Sequence, residues 1–453
     1  MLWRIRSWLS LHDMADGIGS RRKFFAVLAF LGIALVVVIA VRAGRSAGMP
    51  PAVKTALGPA RARPKLVFGS NIAIFLAPDG SLWAWGDDRF ARLLSGNQPK
   101  RYAVPQILGT NSDWIDVAIR YQEFAGVRSD GTLWAWGPNY KGSSPDRPTQ
   151  VNPDEVWQSV AAGMNHTLAL EKDGTLWAWG RNKMGQLGEG TTADREKPMP
   201  VDTNFKWSAI GAGADASLAL RTDGTLWGWG RQDMAQPETS AVVDTTRPRQ
   251  IGTDTNWVEI AACDFLAAGR KSDDSIWVWG SNAGAMMQRS EFRPRGGGLL
   301  RVGKDWDWKM VAVGFIQGLA LEPNGTLWGW GGSPRDAVAT GGPIPKQLSS
   351  RRDWISVWTA QENGGGLTSD GKLWLWGVCV GEQPMIPLID QVARGMGDFL
   401  RSRGVNTTWG RSQRFVYRHS SIPWSVLEFT NMPPTQPAGA NLGTGTAGQS
   451  PFR

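Results

Sequence analysis

The chain of 453 residues is too long for one small domain and long enough for one large all-β core. Tryptophan and glycine stand out, at 26 and 56 residues against only 4 Tyr and 3 His, a composition that suits many short strands joined by tight turns. The net charge of +9 resides in residues 1–65, which hold 11 Lys or Arg and two acids; residues 66–453 balance 38 bases with 38 acids, which argues against nucleic acid as a partner.

In chain order, residues 1–23 form a basic leader ending in Arg21, Arg22 and Lys23. Residues 24–41 (FFAVLAFLGIALVVVIAV) carry no charge and are long enough for a transmembrane helix. The run exceeds the apolar region of a cleaved signal peptide, so it is read as an uncleaved signal anchor. The cluster before it favours a cytoplasmic amino terminus, which places residues 42–453 on the extracytoplasmic side of a single-pass membrane protein. Residues 42–64, rich in Ala, Gly, Pro and Arg, read as a flexible linker.

Residues 65–430 are organised by a repeat. An eight-residue motif of the form DGTLWAWG begins at Asp79, Asp130, Asp173, Asp223, Asp273, Asn324 and Asp370, at intervals of 51, 43, 50, 50, 51 and 46 residues. Trp114, Trp157, Trp207, Trp257, Trp308 and Trp354 each lie 16 residues before their motif; the first copy has Arg63 there. Each copy reads as a short strand of small residues, an alternating strand, a hairpin turn at Asp-Gly and the LWAW strand. Alternation sends Leu176 and Ala178 to one face of a sheet, Trp177 and Trp179 to the other. Pro105, Pro148 and Pro248 suggest a fourth, outer strand. Four short strands in about 50 residues, repeated, predict an all-β propeller of four-stranded blades, with indoles filling the gaps between them. Seven blades are favoured. Residues 388–429 resemble a worn eighth copy, which is either an eighth blade or a source of strands that close the ring. Residues 431–453 have the composition of a disordered tail.

The third copy, WQSVAAGMNHTLALEKDGTLWAWGRNKMGQLGEG, resembles the regulator of chromosome condensation repeat family, and the resemblance extends over about residues 65–387. It implies a seven-bladed propeller that acts through protein partners. The family's Asn-x-x-Gly-Gln-Leu-Gly loop is intact only at Asn182, Gly185, Gln186, Leu187 and Gly188. The His of its second strand survives only as His166.

No catalytic, cofactor or metal constellation is found: HExxH, Cys-x-x-Cys and the phosphate-cradling Gly-x-x-x-x-Gly-Lys-Ser/Thr are all missing. Cys263 and Cys379 occupy different repeat positions and read as isolated thiols. The Asp of each turn is read as structural, as is His166. Twenty of the Trp residues are periodic and are assigned to packing between blades. Trp306 and Trp358 are not, and are the candidate partner-binding anchors. The functional reading is a membrane-anchored protein-interaction module or scaffold, without enzymatic activity. The alternatives are a glycan- or cell-wall-binding propeller using exposed Trp and a propeller-fold enzyme such as a lyase.

Overall fold

A computed structural model describes residues 53–55, 60–69, 72–87, 101–120, 123–136, 149–238, 241, 243–287, 298–303, 307–315, 317–332, 342–360, 363–378 and 419–429. The apolar run at 24–41, the tail at 431–453 and Trp306 lie outside them. Among the described residues no helix is long and apolar enough to cross a membrane.

The strands form seven sheets, each an antiparallel meander in chain order: the blades of a seven-bladed propeller. Blades one to six span 65–107, 114–151, 157–201, 207–250, 257–302 and 310–347. Blade seven takes three strands from 354–378. Its fourth strand is His419–Phe429, which pairs antiparallel with Lys372–Val378. The segment resembling a worn repeat therefore gives this described strand to blade seven. Val53–Thr55, inside the stretch assigned to the linker, adds a fifth strand in parallel, Val53 opposite Leu427.

The alternation of the LWAW strand accounts for the stacking. Leu168, Leu170, Leu176 and Ala178 of blade three meet Trp207 and Trp229 of blade four. On blade three's other face, Trp157 and Trp179 meet Val127, Leu133 and Ala135 of blade two. The same aliphatic-against-indole seam recurs between every neighbouring pair, including blade seven with blade one, where Leu367, Leu373 and Leu375 meet Phe75, Trp83 and Trp85. Polar groups of the innermost strands stitch blades together as well. Lys65 donates to Asp116 Oδ1 at 2.6 Å, and Asp116 Oδ2 accepts the Val160 amide at 2.8 Å, linking blades one, two and three.

The leading Trp explains a column of small residues. Each leading indole lies over the second-strand residue opposite the first motif Trp. That residue is Gly126, Ala169, Ala219, Gly269, Ala320 or Gly366 in blades two to seven. A Cβ on Gly126 would sit 2.7 Å from the Trp114 ring, and one on Gly366 2.5 Å from Trp354. Blade one lacks the leading Trp, and at this position it carries Phe75, fully buried. The benzyl group fills the space that the missing indole would take.

Trp358 is corrected by the same logic. It occupies the first-strand position at which the other repeats with a leading Trp have Ala118, Ala161, Gly211, Ala261 and Ala312. Its ring packs edge-on against Phe75 at 5.9 Å, buried in the seam that closes the ring. It is a closure residue and not a surface anchor.

Candidate functional site

Meander topology puts the connections between strands one and two, and between strands three and four, at one end of every blade. The Asp-Gly turns and the blade-to-blade links lie at the other end. The ring thus has a loop face and a turn face, and their side chains are used differently.

On the turn face, the motif Asp is occupied internally. Asp130 accepts the Thr132 amide at 2.9 Å and the Thr132 hydroxyl at 2.7 Å, and that hydroxyl accepts the Trp134 indole N–H at 2.8 Å. The relay recurs at Asp79–Ser81–Trp83, Asp223–Thr225–Trp227 and Asp273–Ser275–Trp277. Blade seven has Lys372 where the hydroxyl residue belongs, and Thr368 substitutes, bonding Asp370 at 2.5 Å and receiving Trp374 at 3.1 Å. Although burial opposes it, hydrogen bonds from Thr368, Lys372 and Arg351 hold the Asp370 carboxyl at about 2. These Asp residues are turn-formers, as their Asp-Gly context implied. Gly174 sits at φ +86°; in blade five Asp274 adopts φ +60° instead, with Arg270 bonded to its carboxylate at 2.6 Å.

Beside each relay, two residues before the turn Asp, stands a residue whose charge varies. Arg128 lies 4.8 and 4.6 Å from the Trp114 and Trp134 ring centres. Arg221 lies over Phe205 and Trp227, and Lys271 over Trp257 and Trp277. These cations cap the aromatic pairs of blades two, four and five. Blade three has Glu171 at this position, beside Glu155 and the Trp157–Trp177 pair.

On the loop face, the described segments after the Trp-Gly of blades three, four and five reach toward the next blade. In blade three the intact loop is held from inside. Asn182 is fully buried and its Oδ1 accepts the Leu187 amide at 2.9 Å. Gln186 O accepts both the Ser217 hydroxyl at 2.7 Å and the Trp229 indole N–H at 2.9 Å. His166, buried and 2.9 Å from Ser217 Oγ, completes the brace; burial pulls its pKa down to about 4, so it is neutral near pH 7. In blade four the sequence has drifted to RQDMAQ, yet one helical turn, Gln232–Ala235, presents Met234 O to Trp279 Nε1 at 3.0 Å. The acceptor survives the loss of the motif.

This braced face carries an aromatic patch across blades four to six. Phe315, 39% exposed, meets half-buried Phe265 edge-on at 6.5 Å. The Arg231 guanidinium stacks on Phe265 at 4.6 Å while its Nε bonds Asp233 at 2.8 Å. Asn282 Nδ2 donates to Phe315 O at 2.7 Å and fixes that loop. Sequence reasoning misses this patch, because Phe265 and Phe315 stand in consecutive strand-one-to-two connections 50 residues apart. Every Trp whose exposure is described is buried or half-buried, which leaves the glycan reading no exposed indole among them. Among the described residues no group of three or more His, Cys, Asp or Glu could hold a metal.

Models of the regulator of chromosome condensation (RCC1) repeat match residues 173–220, and residues 157–186 and 207–236. No curated protein matches the chain. Among solved structures, human WBSCR16 is 16% identical with a TM-score of 0.59, over 76% of this chain and 93% of that one. Prp20p from Saccharomyces cerevisiae, in a study of its binding properties to Gsp1p and histones, is 18% identical with a TM-score of 0.57, over 74% and 85%. Yeast RCC1 (Prp20) bound to Kap60 is 17% identical with a TM-score of 0.57, over 75% and 87%. At these identities the likeness is one of fold. Together, the repeat matches and the seven sheets show a β-propeller that carries repeats like those of the regulator of chromosome condensation.

Proposed function

We propose that the chain is a protein-interaction scaffold whose loop face receives a partner, and that the apolar run at 24–41 holds the ring at a membrane on its extracytoplasmic side. The observation that carries the binding reading is the Arg231–Phe265–Phe315 patch. It sets aromatic rings and a guanidinium, the side-chain types enriched in interface cores, on loops held by side-chain hydrogen bonds from Arg231 to Asp233 and from Asn282 to Phe315. A rigid scaffold lowers the ordering cost of association. Prp20p, which shares the fold, was studied for binding to Gsp1p and histones, which supports a protein as the kind of partner. The turn Asp residues, His166 and Asp116 are engaged in turns, braces and seams, so the reading is binding and not catalysis. Cross-linking of the full chain in its native membrane, followed by mass spectrometry, tests this, with a chain lacking residues 66–430 as the control. A small set of proteins captured only by the intact chain, with cross-links on the loop face, is expected. Equal capture by both chains would overturn it.

A further inference from the structure

The turn face of blade three departs from its sisters in a way that implies a second contact. Blades two, four and five each cap an indole or benzyl pair with a cation of their own, Arg128, Arg221 or Lys271. Blade seven, with Thr368 at that position, brings Arg351 to 5.2 Å from Trp374. Blade three keeps the aromatic pair, Trp157 and Trp177 meeting edge-on at 6.0 Å, but replaces the cation with Glu171. Glu171 is only 8% exposed, and its Oε1 has no hydrogen-bond partner. Glu155 and Asp173 stand beside it, and both repel its charge. Lys206 does not relieve this, since its ammonium is held by Asp173 at 2.6 Å and Thr175 at 3.0 Å. Blade six also carries a glutamate there, Glu322, but its carboxylate is partnered by Asn324 at 3.3 Å.

We propose that blade three receives its missing cation from outside: an arginine or lysine side chain of a protein partner docks against Glu155 and Glu171 beside the half-exposed Trp177 indole. Charge complementarity selects the occupant, and the sister blades show the arrangement that it would restore. Exposed Val156 and Asp154 border the position and offer the rest of a basic peptide an apolar and an acidic contact. Burial, and the repulsion of Glu155 and Asp173, raise the Glu171 carboxyl to about 7, which the nearby Trp177 N–H only partly counters. A bound cation would reverse that shift. The site lies on the face opposite the Phe265–Phe315 patch, so it does not depend on the loop-face reading.

The test is fluorescence anisotropy of a labelled hexa-arginine peptide titrated with the full-length protein at about 0.15 M salt, where long-range attraction is screened. Saturable binding is expected, with hexa-glutamate showing none. The Glu155→Gln/Glu171→Gln variant should weaken it by at least about tenfold, as loss of a close charge pair does. Glu171→Arg should do the same while raising the melting temperature, because the chain then supplies its own cap. A folded wild-type protein that does not bind the peptide, or binding unchanged in either variant, would overturn the proposal. Phe315→Glu, on the loop face, should leave peptide binding unchanged.

Discussion

The exchange of a leading indole for Phe75 in blade one can be reproduced in blade two. Trp114→Ala removes a side chain that is 4% exposed and packs on Ile72, Ile74 and Leu82 of blade one. A cavity of that size costs about 3–5 kcal/mol. Gly126→Phe alone forces a benzyl group into a site where even a Cβ would stand 2.7 Å from the Trp114 ring. Such overpacking costs about 1–3 kcal/mol. Combined, the two recreate the arrangement of blade one, and the ring of residue 126 enters the cavity left by the indole. The double variant should be more stable than the sum of the single losses by about 2–3 kcal/mol, the upper range for residues in contact. Denaturant midpoints of the full chain and the three variants, compared at constant slope, give this coupling. Strict additivity would refute the claim that Phe75 and the leading Trp are alternative fillings of one space.

Three further outcomes rest on the polar network. Thr225→Val leaves both Asp223 and the Trp227 N–H without the shared hydroxyl and should destabilise by about 1–3 kcal/mol in denaturant unfolding. His166 has its folded pKa depressed from 6.5 to about 4, so stability is full above pH 6.5 and is lost as pH falls toward 4. The loss should reach about 3 kcal/mol, and His166→Gln should abolish that part of the melting-temperature profile. Glu171 has the opposite sign. Its pKa is raised from 4.5 to about 7, so its contribution is present below pH 4.5 and is lost as pH rises through 7, and Glu171→Gln should flatten that slope.

The propeller is legible in the sequence because its signals are periodic. Motif and leading Trp recur at fixed offsets, and the strand alternation that separates Leu176 from Trp177 is what the seams use. What escapes is non-periodic. Trp358 looks like a free indole because its column is otherwise Ala or Gly; only ring closure against Phe75 explains it. His419–Phe429 reads as part of a worn repeat because about 40 residues separate it from the strand it joins. The drifted loops hide a preserved function, since Gln186 and Met234 both offer a main-chain carbonyl, and a carbonyl leaves no mark on side-chain identity. Glu171 does leave a mark. Aligned on the turn Asp, its column reads Ala77, Arg128, Glu171, Arg221, Lys271, Glu322 and Thr368, and the charge reversal is visible once cations are known to cap the indoles.

The central claim, that the ring binds a protein through the Arg231–Phe265–Phe315 patch, is tested most directly by quantitative capture from native membranes. The full chain would be compared with its Phe315→Glu variant, whose melting temperature should be unchanged because Phe315 is exposed. Loss of a defined partner by at least about tenfold at equal stability is the expected result. A partner retained in full by Phe315→Glu would contradict the assignment of the loop face, and no partner on the wild-type ring would contradict the interaction reading itself.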